Sequence, residues 1–160
     1  MEKYDLETPW ILWNHGIHDK SWTNDSYKNI YTINNLYDFK SYQNIVKIEH
    51  LQNSMFFLMR KDIFPTWEDP DNRDGCCASF KIPLKDIKDN WLILIQNIIS
   101  ENIHSKIDNN LDINGISISP KKEFNIVKIW FRNNIRDISE NINFSNKYIL
   151  SKNCQIKKNS

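Results

Sequence analysis

Short apolar and aromatic runs bounded by polar and turn residues recur along this chain, and they predict strands. The segments "PWILWN" (9–14), "YKNIYTI" (27–33) and "SMFFLMR" (54–60) read this way. "CCASFKIPL" (76–84) puts Cys76, Ala78, Phe80 and Ile82 on one face. "INGISIS" (113–119) and "FNIVKIWF" (124–131) are β-branched runs joined by "PKKE", a hairpin signal, and a last strand is read at 148–150. Helical spacing takes over in two places. Over 34–48, Leu36, Phe39, Gln43 and Val46 fall near one stripe, with Asn34 or Asn35 as N-cap. Over 85–103, Ile87, Trp91, Leu94, Ile95, Ile98 and Ile99 form the best-defined apolar stripe of the chain. A third, weaker helix is expected over 133–144.

Strands and helices do not alternate in a parallel βαβ rhythm. The pattern predicts an α+β fold: a strongly curved antiparallel sheet with about three helices packed on its convex face, leaving a slot for a ligand on the concave side. A length of 160 residues favours one domain over the whole chain, with 1–8 and 155–160 read as loose ends.

Composition narrows the chemistry. Hydrophobic residues make up 40%, enough for a core, and the formal net charge is +1. A near-neutral chain has no global basic field, so any nucleic-acid contact is expected to be small and local. No apolar run is long enough to span a bilayer, and "MEKYDLETPW" is acidic and lacks a signal-peptide core. Of the three cysteines, two are adjacent and none forms a C-x-x-C pair. A disulfide framework or zinc site is therefore not expected, and a reducing compartment, cytoplasm or nucleus, is. Abundant Asn, Ile and Lys fit drift in an AT-rich genome; the six tryptophans are the informative excess.

The loop "IFPTWEDPDNRDG" (63–75) holds the sharpest signal. Its prolines keep it out of helix and strand, and Trp67 stands beside Glu68 and Asp69. An exposed indole attracts a flat cation by roughly 0.5–2 kcal/mol, and stacking contributes about 1–3 kcal/mol per base. An ionised carboxylate only accepts hydrogen bonds. Guanine offers it two adjacent donors, N1–H and the exocyclic amine; adenine offers no such pair. A guanine whose ring carries a positive charge, N7-methylguanine, suits the Trp67–Glu68 step. Trp22, in the polar stretch "HDKSWTNDS", is a candidate second face for the stack. The competing reading has both indoles plugging loop ends against the sheet.

These residues belong to a larger pattern. W-x-x-W at Trp10 and Trp13, S-W at Trp22, D-F at Asp38–Phe39, F-P-x-W-E-D-P-x-N from Phe64, N-W-L at 90–92 and G-I-S-I-S…I-W ending at Trp130 together resemble the cap-binding translation initiation factor 4E family. The resemblance implies a cupped sheet with helices on its back. It implies 7-methylguanine held between Trp22 and Trp67, its edge read by Glu68, with Trp130 near the methyl group and basic residues on the cap triphosphate. Lys121 stands where the family has a hairpin Arg, and a point charge lacks the bidentate fork. Ile126 replaces a family Lys; Lys128 shares a strand face with Trp130 and is the candidate to compensate. Lys122 is a weaker candidate.

The resemblance also implies a partner surface on the convex face, where the family receives Tyr/Leu motifs of scaffold and repressor proteins. Leu36 and Leu92 keep its apolar positions, but Lys40 replaces a Trp and Ile93 an acid. Ordinary scaffold motifs are therefore expected to bind poorly and a dedicated scaffold protein to bind instead. The departures fit a divergent viral or parasite copy. The expected molecule is a monomeric, non-enzymatic, cofactor-free module that recruits capped mRNA for translation. A cap-sequestering repressor, or an interaction protein that lost the cap, remains open beside it. His15 and His18 form an H-x-x-H pair without a third ligand and read as loop polarity; Trp10, Trp13 and Trp91 read as core. No P-loop, G-x-S-x-G or nucleophile–base pair stands out.

Overall fold

The computed structural model describes residues 4–103, 107–135, 146–149 and 154–159. Seven strands form one sheet in the order β2-β1-β3-β5-β6-β4-β7. They are β1 (Asp5–Gly16), β2 (Lys28–Asn35), β3 (Ser54–Arg60), β4 (Cys76–Pro83), β5 (Ile113–Pro120), β6 (Phe124–Phe131) and β7 (Gln155–Lys158). Every pairing is antiparallel. Register shifts within β1 and β5 add local bends to a curved sheet. Among the described residues three α-helices accompany it: α1 (Leu36–Ile45), α2 (Ile48–Asn53) and α3 (Ile87–Ile99).

Alternation along the strands sorts the side chains into two cores. Trp10, Leu12, Phe56, Leu58, Cys76, Ala78, Phe80, Ile82, Ile116, Ile118, Val127 and Ile129 pack with the apolar stripe of α3 and with Phe39 and Leu51 of α1 and α2. Their neighbours one step along, Phe57, Met59, Cys77 and Trp130, form a smaller cluster on the opposite face with Tyr27 and Ile63. Gly115 lets β5 close on β3: a Cβ there would sit 2.3 Å from Met59 Sδ and 2.4 Å from the Leu58 carbonyl oxygen.

Several boundaries differ from the sequence reading. The helix expected over 34–48 is two helices, because Val46 and Lys47 adopt extended backbone between them. Asn35 is the N-cap, its side chain accepting the Asp38 N–H at 2.9 Å. Trp13 is only partly buried and lies on the face away from the helices, against Phe64. The last strand is Gln155–Lys158, paired with β4, and not 148–150: Tyr148 and Ile149 sit in a turn, where Asn146 Oδ1 accepts both their N–H groups. The ends read as loose are thus strand from Asp5 onward and again over Gln155–Lys158. The third helix expected over 133–144 falls mainly outside the described residues.

A buried cation ties the helical layer to the sheet. Arg60, 7% exposed, donates to the Ile113 carbonyl (2.8 Å), the Asn110 carbonyl (3.0 Å) and Thr8 Oγ1 (2.7 Å). Both its terminal nitrogens reach Glu101, and its guanidinium lies 4.4 Å from the Trp10 ring centre. Glu101 follows α3 in left-handed backbone, φ 55°, so the pair holds a strained exit in place. Glu101→Ala leaves the guanidinium buried without its counter-charge. Urea denaturation is expected to show a loss of about 3 kcal/mol, and a loss below about 1 kcal/mol contradicts this account.

Candidate functional site

The small cluster on the concave face explains where the site forms. Met55, Phe57, Met59 and Trp130 present an apolar surface that the helices do not cover, and the chain leaving β3 returns over it. Ile63 is 4% exposed, and Phe64 packs edge-on against Trp13 and Tyr27 at ring distances of 5.1 and 5.4 Å. Burial of these two side chains anchors the loop, and the residues just after them stand at the rim.

Hydrogen bonds then give the loop its shape. Asp69 accepts the N–H groups of Phe64 (2.9 Å) and Asp71 (2.8 Å). Asn72, fully buried, donates to the Phe64 and Thr66 carbonyls at 3.1 and 2.9 Å, and its Oδ1 accepts from Asn114 at 2.8 Å. Asn159, next after β7, donates to the Asn72 carbonyl at 2.7 Å. The loop closes at Gly75, where a Cβ would lie 1.8 Å from the Phe131 carbonyl oxygen. Of the two adjacent acids, Asp69 is thus a loop staple and Glu68 is left at the rim. The burial of Asn72 and Asn114 and the link to the partly buried Asn159 escaped the sequence reading, since Asn in an Asn-rich chain carries no local mark of burial.

The result is a cleft of about 360 Å³ lined by Trp22, Tyr27, Met55, Phe57, Pro65, Thr66, Trp67, Glu68, Lys128 and Trp130. Trp22 is 57% and Trp67 48% exposed, so neither indole is a core plug. Trp130 is buried; its Nε1 donates to Ser117 Oγ at 3.0 Å, and its ring meets Phe57 edge-on. Tyr27 has its phenol pushed up to about 12, by burial first and then by the Glu68 carboxylate, which keeps it a neutral hydroxyl. Five of the six expected ligand residues, Trp22, Trp67, Glu68, Lys128 and Trp130, therefore line one cleft. Lys121 does not; it is exposed in the β5–β6 turn, its N–H bonded to the Phe124 carbonyl at 2.8 Å.

A second groove, about 370 Å³, adjoins the first and shares Trp67, Lys128 and Trp130 with it. Its other walls are Cys77, Ser79, Ile126, Gln155, Lys157, Lys158 and Asn159. Sheet register explains the convergence: Cys77 lies opposite both Trp130 and Lys157, and Ser79 opposite Lys128 and Gln155. Burial raises the Cys77 thiol to about 12, a rise that Lys128 opposes, so this cysteine is a neutral wall and not a nucleophile.

Behind Trp22 lies His15. Read from sequence as loop polarity, it is fully buried, and its ring stacks on Trp22 at 3.9 Å with the planes 6° apart. Among the described residues no group of three or more His, Cys, Asp or Glu side chains is placed to hold a metal ion, and no helix there is long and apolar enough to cross a membrane. On the convex face Leu36 and Ile93 are 42% and 46% exposed and Lys40 is exposed, whereas Leu92 is 8% exposed and belongs to the core. Leu36 lines a depression with Tyr4, Leu6, Ile99 and Glu101.

Asn72→Ala removes three hydrogen bonds from the base of the Trp67 loop and leaves the Asn114 amide without one acceptor. A stability loss of about 2 kcal/mol is expected, with a red-shifted tryptophan emission as Trp67 loosens. Unchanged emission and stability contradict the stapling role.

Comparison with known proteins completes the description. Residues 5–159 match the family model "Eukaryotic initiation factor 4E". A eukaryotic translation initiation factor 4E homolog of Acanthamoeba polyphaga mimivirus is 38% identical over 87 residues, 54% of this chain and 32% of that protein. The eukaryotic translation initiation factor 4E of Saccharomyces cerevisiae is 31% identical over 135 residues, 80% of this chain and 62% of that protein. The chain therefore spans less than two thirds of the length of these relatives. A solved schistosome eIF4E, complexed with m7GpppG and 4E-BP, superimposes with a TM-score of 0.73 at 18% identity, covering 82% of this chain and 73% of that one.

Proposed function

We propose that this chain, which belongs to the eukaryotic initiation factor 4E family, binds the 7-methylguanosine cap of mRNA in the concave cleft and recruits capped mRNA for translation. The observation that carries the reading is the meeting of Trp22, Trp67, Glu68, Lys128 and Trp130 around one cleft from positions far apart in the chain. Two half-exposed indoles are suited to sandwich a cationic purine, each face contributing about 1–3 kcal/mol. Glu68 accepts N1–H and the exocyclic amine, a charge-assisted pair worth about 1.5–3 kcal/mol. Trp130, held by Ser117, forms the wall met by the N7 methyl group.

The triphosphate then runs into the adjoining groove, where Lys128 is joined by Lys157 and Lys158 of β7. These lysines supply the local positive field that a net charge of +1 cannot. Lys121 acts only at the outer end of the phosphates. Nothing in this scheme forms or breaks a covalent bond: the module binds and does not catalyse.

Binding is tested by titrating 7-methyl-GTP and GTP while following tryptophan fluorescence. Strong quenching by the methylated nucleotide alone is expected, and equal responses, or none, reject cap recognition. Trp67→Ala is expected to weaken binding roughly ten-fold or more, and Glu68→Ala about ten-fold. Lys157→Ala is expected to weaken 7-methyl-GTP several-fold while leaving the uncharged 7-methylguanosine nucleoside unaffected.

The schistosome structure holds a 4E-BP, and a scaffold partner is proposed for the convex face of this chain. Lys40 of α1 and Ile93 of α3 are both exposed, so the partner is a dedicated one whose motif meets a cation and an aliphatic side chain. Without a Trp anchor at position 40, a standard scaffold peptide is expected to bind about 30-fold more weakly than Lys40→Trp binds it. Calorimetric titration of both proteins measures the ratio, and equal affinities contradict the assignment of this face.

A further inference from the structure

His15 makes two hydrogen-bond contacts that a neutral imidazole cannot satisfy together. Nδ1 lies 2.9 Å from the Gly16 carbonyl oxygen, and Nε2 lies 2.8 Å from the Ser21 carbonyl oxygen. A neutral ring carries one N–H and one lone pair, so one of the two carbonyls would face a lone pair; the imidazolium donates to both. The two acceptors are the ends of the short loop between β1 and Trp22. Within it the Asp19 N–H bonds to the Gly16 carbonyl at 3.2 Å, and the Ser21 N–H bonds to Asp19 Oδ1 at 2.9 Å. His15 itself is fixed to the sheet: it pairs with Met55, and its carbonyl accepts from Ser54 Oγ at 3.1 Å. Tyr27 closes on the ring edge-on at 5.0 Å.

We propose that His15 is a positioning residue for the Trp22 jaw and works in its doubly protonated form, pinning both ends of the 16–21 loop so that the indole on its outer face is held over the cleft. Loss of one proton frees one carbonyl and loosens the loop that carries Trp22. Binding that depends on Trp22 is then strongest where the ring holds both protons and weaker where it holds one. Of the groups around His15, Tyr27 keeps its proton, β3 presents uncharged Ser54 and Met55, and the carboxylate of the same loop, Asp19, accepts the Ser21 N–H. Glu68, across the cleft, acts on the ligand.

The inference rests on the cap-binding reading, and its test separates the two. In His15→Phe the stacked ring is kept and both hydrogen bonds are lost. Binding of 7-methyl-GTP to wild type and variant is measured from about pH 5.5 to about pH 8.5, spanning the imidazole range. Ionisation of the nucleotide or of Glu68 affects both proteins and cancels in the ratio. The wild type is expected to bind roughly five-fold more tightly at the acid end, with the two converging at the alkaline end. A ratio that does not change with pH, or equal binding at the acid end, overturns the proposal. Nitrogen NMR of the wild-type protein without nucleotide reads the ring directly: both nitrogens are expected to carry protons at the acid end, and a singly protonated ring there overturns the proposal. If both protons are seen and neither protein binds 7-methyl-GTP, the clamp on Trp22 stands and the cap reading falls.

Discussion

Each strand of an antiparallel sheet has two faces, and the helices of this chain cover only one of them. Burying Trp10, Leu12, Phe56, Leu58 and Phe80 under α1, α2 and α3 turns Trp13, Phe57, Met59, Cys77 and Trp130 the other way. That second row is too apolar to be left in water. The chain after β3 covers it with Ile63 and Phe64, and this covering has a rim. Trp67 and Glu68 stand at that rim because the two residues burying the cluster come just before them.

Adjacent acids in the same loop illustrate how position divides labour between like residues. Asp69 spends its carboxylate on backbone N–H groups of the loop, as a turn-forming Asp does. Glu68 is one position on the other side of the turn and keeps its oxygens for the cleft. The buried asparagines serve the same end from below, linking the loop to β5 through Asn114 and to the strand-terminal Asn159. The rim is tied to the sheet from below, which limits the freedom of the loop that carries the Trp67 indole.

Charge in this molecule is local. A near-neutral chain creates no long-range pull, yet register brings Lys128 of β6 and Lys157 of β7 to the same groove across β4. The hairpin Lys121 stays out on its turn, and its usefulness to a ligand falls with distance and with salt. An edge strand near the chain's end thus carries a share of the basic wall that the motif pattern assigns to the hairpin.

Much of this was legible in the residues alone. The period of two in 76–84 and the short apolar runs at 54–60 and 124–131 pointed to strands, and the stripe from Ile87 to Ile99 to a helix, because length and spacing of apolar residues differ between the two conformations. The exposure of Trp67 and Glu68 on one loop was equally legible, since prolines on both sides keep that loop out of helix and strand. What lay beyond the sequence depended on contacts between distant segments. The inward turn of Trp13, the burial of His15 beneath Trp22, the asparagine links and the pairing of β7 with β4 leave no periodic trace, because each is created by a neighbour from another part of the chain. Local pattern determined which elements form and which face of each is apolar; only tertiary packing decided which polar groups stand together, since hydrogen bonds and charge pairs are set by proximity in space.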